Sequence, residues 1–175
     1  ALAARDRLLD LCGFDRTVIS ESDRHFISDP EHQAMPVTLA YNGIDPFGRI
    51  IGFVFNQEMD FEVTDKNPEV YLSADDVSKS LNGRLLQEGL VYPTYYGGLY
   101  PALRDALTEI AHEAKAQRKG VWEEHSNEFH FSRVPELSEV EELVMMPKLF
   151  RRLTTHLAKN GAISNFRNYL RSGQD

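Results

Sequence analysis

The stretch DPFGRIIGFVF, residues 45–55, decides the fold because a tight polar turn runs directly into an alternating apolar strand. Residues 37–41 before it, VTLAY, place their large apolar side chains at every second position, the period of a strand. The dipeptides Asn-Gly at 42–43 and Phe-Gly at 47–48 are turn signals between these two runs. The sequence therefore predicts a β-hairpin from residue 37 to residue 55.

Helical periodicity surrounds this hairpin on both sides. Apolar residues recur at helical spacing in residues 2–12, and Pro101 is typical of the first turn of a helix that runs to Gly120. Ser73 and Asp76 form a capping box, which predicts one helix from there to Gly89. In the tail, residues 149–157 and 163–170 predict two helices, and a capping box at Ser138 and Glu141, outside the residues that the structure describes, indicates a third as the alternative.

The remaining segments have weaker patterns. Residues 17–20, TVIS, and residues 69–72 favour short strands, and the polar stretch 21–34 favours a loop. Strands and helices without a regular alternation are typical of the α+β class. We interpret residues 1–125 as one domain and residues 126–175 as a connector with a helical extension.

The charge of the chain limits what it can bind. The formal net charge is −8, and the first 125 residues carry −9, with 12 basic and 21 acidic residues. A broad nucleic-acid surface is basic, because contacts to phosphate dominate that affinity. Any nucleic-acid site in this part must therefore be small and focused. No apolar run is long enough to span a membrane, so we expect no membrane partner.

Four motifs occur in a specific order along residues 1–125. They are Asp45-Pro-Phe-Gly-Arg49, Asn82 with Leu85-Leu-Gln-Glu-Gly-Leu90, Tyr95-Tyr96, and Glu113-Ala-Lys with Gly120-Val-Trp122. This order resembles the staphylococcal-nuclease-like (thermonuclease) family. The resemblance implies an OB-type β-barrel, incomplete in this chain, with packed helices; the C-terminal helical tail lies beyond it.

The resemblance also implies an activity, Ca²⁺-assisted hydrolysis of phosphodiester bonds in DNA or RNA. It assigns to Arg49 the binding of the reacting phosphate. Arginine suits that role because its guanidinium presents a planar fork of donors and stays charged at any working pH. The alternative from spacing is a surface arginine that pairs with Asp45 across the turn.

Two tyrosines are the candidate nucleotide-binding residues. Tyr95 stands where the family has a tyrosine that lines the nucleotide site, which implies that its ring stacks on a base; the alternative is a half-buried aromatic residue of the loop. Tyr96 is its neighbour, although Gly97 occupies the place of the second family tyrosine. The family often has a basic residue and a tyrosine where this chain has Pro46 and Phe47, which weakens phosphate binding.

The family's Ca²⁺ ligands, its second arginine and its general-base glutamate come from a segment before the first helix, and we expect them in an intact parent protein. Whether the chain acts as an enzyme stays open, because the alternative is a nuclease-fold module that binds protein or nucleic acid without catalysis. Single-stranded DNA or RNA, or a protein bound through residues 138–171, including a second copy, are the candidate partners. Lys148, Arg151 and Arg152 form a basic face there, either a solvated helix surface or a contact to nucleic acid or lipid.

Overall fold

A computed structural model describes residues 2–14, 18–19, 27–28, 35–59, 61, 69–123, 145–160 and 164–172. The chain forms two compact units, Ala1–Gly120 and Val121–Asp175. Helices and antiparallel strands both occur, so the predicted α+β class is confirmed.

The first unit contains four strands and four helices among the described residues. They are α1 (Leu2–Cys12), β1 (Val18–Ile19), β2 (Ile27–Ser28), β3 (Thr38–Ile44), β4 (Ile50–Phe55), α2 (Ala74–Lys79), α3 (Leu81–Gln87) and α4 (Pro101–Ala116). β1 pairs with β2, and β3 pairs with β4, both antiparallel. A 3₁₀ turn, Gly120–Trp122, lies at the boundary between the two units.

The predicted hairpin is confirmed as β3 and β4. Its register places Ala40 opposite Phe53 and Thr38 opposite Phe55, with an irregularity between Tyr41 and Ile44. The face that carries Phe53 and Phe55 packs into the core, as the alternation of strand side chains requires. Two expectations were wrong: β2 lies within the stretch 21–34 expected to be a loop, and residues 69–72 form no strand.

The single helix expected from Ser73 to Gly89 is two helices, α2 and α3, and this expectation was wrong as well. The break occurs at Ser80, which is the C-cap of α2 and the N-cap of α3. Its hydroxyl donates to the carbonyl of Val77 at 2.6 Å and accepts from the N–H of Gly83 at 3.0 Å. One side chain thus bonds to a backbone group at each of the two helix ends, which stabilises the sharp turn of the chain. The capping box of Ser73 and Asp76 is confirmed.

The hydrophobic core of the first unit lies between the hairpin and helices α2, α3 and α4. Its buried members are Phe55, Leu72, Val77, Leu86, Leu103, Leu107 and Ala111. Asn82 of α3 attaches the helix to the outer edge of β4. Its amide accepts from the N–H of Val54 at 3.0 Å and donates to the carbonyl of Gly52 at 3.2 Å. This side chain therefore satisfies strand groups that a neighbouring strand would otherwise bond.

Two glycines from separate motifs approach each other closely. Gly89 has φ of 69° and Gly120 has φ of 51°, both in the left-handed region. A Cβ on Gly89 would lie 2.4 Å from the carbonyl oxygen of Lys119, and one on Gly120 would lie 2.4 Å from that of Gly89. Both positions therefore require glycine for conformation and for space.

An ion pair joins helix α1 to the end of α3, and a side-chain hydrogen bond joins it to the end of β4. Arg7 donates through Nε and a terminal nitrogen to both carboxylate oxygens of Glu88, with the shortest distances at 2.8 Å. Asn56 donates to the carbonyl of Leu11 at 2.6 Å, near the end of α1. These polar contacts fix the first helix on the unit.

The second unit contains α5 (Pro147–Asn160) and α6 (Phe166–Arg171), numbered here in chain order. Its core is formed by Leu153, Leu157 and Phe166. His156 is also buried, and its Nε2 donates to the carbonyl of Ser164 at 2.9 Å. The two helices predicted in the tail are therefore confirmed within the described residues.

Candidate functional site

The turn between β3 and β4 is organised by the carboxylate of Asp45. Oδ1 accepts from the N–H of Phe47 at 2.8 Å and from the N–H of Arg49 at 3.0 Å. The backbone of Asp45 also bonds to Arg49 and to Gly48, which closes the turn. An aspartate that bonds to backbone groups ahead of it is a standard way to stabilise such a turn. The turn is therefore a fixed platform for Arg49.

Arg49 lies on this platform and pairs with Asp45. Its Nε and one terminal nitrogen both lie 2.6 Å from Oδ2 of Asp45, and its guanidinium carbon lies 5.1 Å from the centre of the Phe47 ring. The side chain is nevertheless 69% exposed. The predicted alternative, pairing across the turn, is thus what the structure shows, and the guanidinium still faces solvent.

The ion pair shifts the pKa of both groups in the direction that keeps them charged. The hydrogen bond from the Arg49 side chain, followed by that from its backbone N–H, lowers the pKa of Asp45. The hydrogen bond to Asp45 and its negative charge raise the pKa of Arg49. Tyr96 adds a smaller electrostatic contribution that also raises the pKa of Arg49.

The loop of residues 95–98 is attached to the hairpin next to this turn. Asn42 of β3 donates through its amide to the carbonyl of Gly98 at 3.0 Å. This bond attaches the loop to β3, the strand that leads into the turn of Arg49. Tyr96 is 43% exposed, so its ring is accessible there.

Tyr95 is held differently. Its hydroxyl lies 2.8 Å from the hydroxyl of Thr108 on α4, which itself donates to the carbonyl of Arg104. The Tyr95 hydroxyl is therefore the donor in the first bond, because the proton of Thr108 is already used. The ring, 41% exposed, keeps a solvent-facing surface while its hydroxyl is fixed on the helix.

Sequence reasoning missed two features of this region. Asn42 was interpreted only as a turn signal, and its bond across 56 residues to Gly98 has no local signature. The exposure of the large apolar side chains around the turn, Phe47, Ile44 and Tyr41, was not predicted either. An alternating pattern predicts which side chains share a face but not whether that face is covered.

The described residues do not fit a Ca²⁺ site at this turn. Calcium binds six to eight oxygen ligands, and Asp45 already accepts three N–H groups. No group of three or more His, Cys, Asp or Glu side chains placed to hold a metal ion occurs among the described residues.

Comparison with known proteins yields no match to any protein-family model, curated protein or solved structure. Across the part of the chain that the structure describes, no helix has both the length and the apolar character to cross a membrane.

Proposed function

We propose that the surface formed by Arg49, Tyr95 and Tyr96, the hairpin-tip site, contacts the phosphate backbone and a base of single-stranded nucleic acid. The observation that supports this most strongly is an exposed guanidinium held on a fixed turn, with the loop of the two exposed tyrosines bonded to the preceding strand through Asn42 and Gly98. Charge-assisted bonds from arginine to phosphate are among the strong ones. A fixed turn reduces the entropy lost when such a bond forms.

The same site fits the phosphate-binding role that the thermonuclease resemblance gives to Arg49. We therefore propose that the parent protein hydrolyses phosphodiester bonds of DNA or RNA with Ca²⁺, and that an OB-type barrel includes the β3–β4 hairpin. The cation and the water-activating group would come from outside the described residues. In this proposal the described part of the chain binds and orients the phosphate.

The free guanidinium edge allows phosphate to bind without first breaking the turn. Nε and one terminal nitrogen face Asp45, and a second pair of N–H groups lies on the other side of the same planar group. A phosphate approaching from solvent would compete with Asp45 for the positive charge. Binding at this site should therefore be weak and sensitive to salt.

The test measures binding of a fluorescently labelled single-stranded oligonucleotide by anisotropy at low salt. Arg49→Gln should weaken binding by at least about tenfold, the loss of one charge-assisted contact. Arg5→Gln is the matched control, because Arg5 also pairs with an aspartate, Asp6, at 2.6 Å on the surface of the same unit. Equal losses in both variants would contradict a localised site.

Hydrolysis is tested separately, with and without added Ca²⁺, on the parent protein isolated from its source. Ca²⁺-dependent cleavage that Arg49→Gln reduces by orders of magnitude would support the nuclease proposal. Failure to cleave single-stranded DNA or RNA under these conditions would refute it, whether or not the oligonucleotide binds.

A second candidate is a nuclease-fold module that binds without catalysis. The ion pair of Arg49 with Asp45 favours it, because a guanidinium with a built-in carboxylate partner is stable without a substrate. Binding of the oligonucleotide by the parent protein without any cleavage would favour this candidate over the enzyme.

A further inference from the structure

The stretch from residue 145 to residue 172 has an unusual charge. It contains six Lys and Arg residues and no Asp or Glu, while the rest of the chain has 13 basic and all 27 acidic residues. The six are Lys148, Arg151, Arg152, Lys159, Arg167 and Arg171. Although the whole chain has a net charge of −8, this segment is strongly basic.

On each of the two helices, the basic residues lie on one side of that helix. On α5, positions 148, 151, 152 and 159 follow the three- and four-residue steps of a single helix face, which extends about 16 Å at 1.5 Å per residue. Lys148, Arg151 and Lys159 are exposed there. On α6, Arg167 and Arg171 are four residues apart and both exposed. We call these six residues the basic face.

The opposite side of α5 is already covered within the second unit. Leu153 and Leu157 pack against Phe166, and His156 packs its ring 5.3 Å from that of Phe166. A helix that binds a membrane surface must bury its apolar face in the lipid. Because α6 occupies that face of α5, the arrangement does not favour a membrane as the partner.

We propose that the basic face binds the phosphate backbone of a nucleic acid without reading its base sequence. Four of its six members are arginines, whose planar fork of donors matches phosphate oxygens. Thr155, which lies among them on the same side of α5, is polar and small, whereas tight protein interfaces depend on aromatic and apolar anchors. Cations that contact phosphates and not base edges give electrostatic binding that does not depend on the base sequence.

The basic face lies in a different unit from Arg49, so this proposal does not rest on the hairpin-tip site. The acidic remainder of the chain repels polyanions, whereas residues 145–172 carry six positive charges and no Asp or Glu, which favours the approach of a phosphate backbone. This accounts for how an acidic protein could bind nucleic acid without a broadly basic surface.

The test is an anisotropy titration of the full chain with a labelled single strand and with its duplex, at about 50 mM and about 200 mM salt. The variant Arg151→Gln with Arg167→Gln removes two exposed charges; the carbonyl of Arg151 that Thr154 and Thr155 use is unaffected. Glutamine keeps the helix propensity close to that of arginine. Circular dichroism checks that both helices remain.

The matched control is Arg5→Gln with Lys79→Gln, which removes the same charge from surface ion pairs of the first unit. For the single strand, the double variant of the basic face should weaken binding at least about tenfold at low salt and flatten the slope of log affinity against log salt by about 1.4. The control should weaken binding less than about twofold.

Equal losses in the two double variants, or no salt-dependent binding of either oligonucleotide, would overturn the proposal. Tighter binding to anionic phospholipid vesicles than to oligonucleotides would overturn it in favour of a membrane. Arg49→Gln distinguishes the two sites: when it weakens binding but the basic-face variant does not, the basic-face proposal fails and the hairpin-tip proposal stands.

Discussion

Asp45 in the hairpin turn and Ser80 between α2 and α3 both stabilise a change of chain direction with their side chains, but in different surroundings. Each accepts backbone N–H groups and fixes a sharp change of chain direction. Ser80 is fully buried; at the hairpin turn the Asp45 side chain is 5% exposed, but its partner Arg49 is 69% exposed, so this ion pair is open to solvent on the arginine side. Lost bonds at a buried corner cannot be replaced by water, while an exposed ion pair contributes little to stability. The buried junction at Ser80 therefore stabilises the fold, whereas the hairpin turn presents the solvent-facing Arg49 side chain to a ligand.

The largest expected loss of stability is at the buried junction between α2 and α3. A Cβ on Gly83 would lie 2.1 Å from the carbonyl oxygen of Val77, so Gly83→Ala must displace α2 from α3. We expect the free energy of unfolding to fall by about 3 kcal/mol, the upper range for overpacking. Chemical denaturation measures this, with Gly97→Ala as the control because a Cβ there meets nothing within 4 Å. Equal stability of the two variants would contradict the packing described at the junction.

Removing the Ser80 hydroxyl should have the next largest effect. Ser80→Ala leaves the N–H of Gly83 without its cap and removes the hydroxyl donor to the carbonyl of Val77, which keeps the backbone N–H of Ser80 at 3.2 Å, for a loss of about 2 kcal/mol. Ser78→Ala is the matched control on α2, since its hydroxyl bonds to Asp75 in a partly exposed position. If both serine variants are equally stable, the Ser80 hydroxyl does not stabilise the junction between α2 and α3.

Acid should weaken the first unit through carboxylates whose pKa the fold lowers. Hydrogen bonds from Ser73 lower the pKa of Asp76, and those from Arg7 lower the pKa of Glu88. Their contribution is present above the ordinary carboxyl pKa of about 4 and is lost as pH falls through the lower folded values. Unfolding followed by circular dichroism from neutral pH to about pH 3 measures it.

Glu88→Gln should flatten this pH dependence, whereas Glu109→Gln, at an exposed position on α4, should leave it unchanged. A wild-type stability that stays level or rises on acidification would contradict the assignment.

The smallest expected change in stability is at the hairpin turn. Asp45→Asn keeps an oxygen to accept from the N–H groups of Phe47 and Arg49, and it replaces the charged oxygen that accepts from the Arg49 side chain with an uncharged NH2 group. The unfolding midpoint should therefore move far less than in Ser80→Ala. A loss as large as that at Ser80 would show that the turn, too, serves the fold.

Local patterns were enough to predict the hairpin and most of the helices. The alternation of residues 37–41, the Phe-Gly turn and Pro101 each act within a few residues, so their signals are present in the sequence. The break at Ser80 was not predicted, because the apolar period continues through Val77, Leu81 and Leu85 across it. The two caps that Ser80 provides and the close approach of Gly83 to the carbonyl of Val77 accompany the break, and hydrophobic periodicity encodes neither of them.

The sequence was enough to single out the candidate residues, but not to predict which partners their side chains contact. The turn motif and the tyrosines indicated Arg49, Tyr95 and Tyr96 as candidates, yet whether Arg49 pairs with Asp45 depends on side-chain geometry that spacing leaves open. The bond from Tyr95 to Thr108 and that from Asn42 to Gly98 join distant segments. Such contacts follow from the tertiary fold, which single-residue patterns do not encode.

The most direct test of the hairpin-tip site compares wild type with Asp45→Asn for binding of a labelled single-stranded oligonucleotide at low salt. If Asp45 and phosphate compete for Arg49, this variant should bind more tightly, by up to about tenfold. Adding Arg49→Gln to the same chain should abolish the gain, because the guanidinium is then missing. Unchanged or weaker binding by Asp45→Asn, with the fold intact, would contradict the account of Arg49 as a phosphate contact.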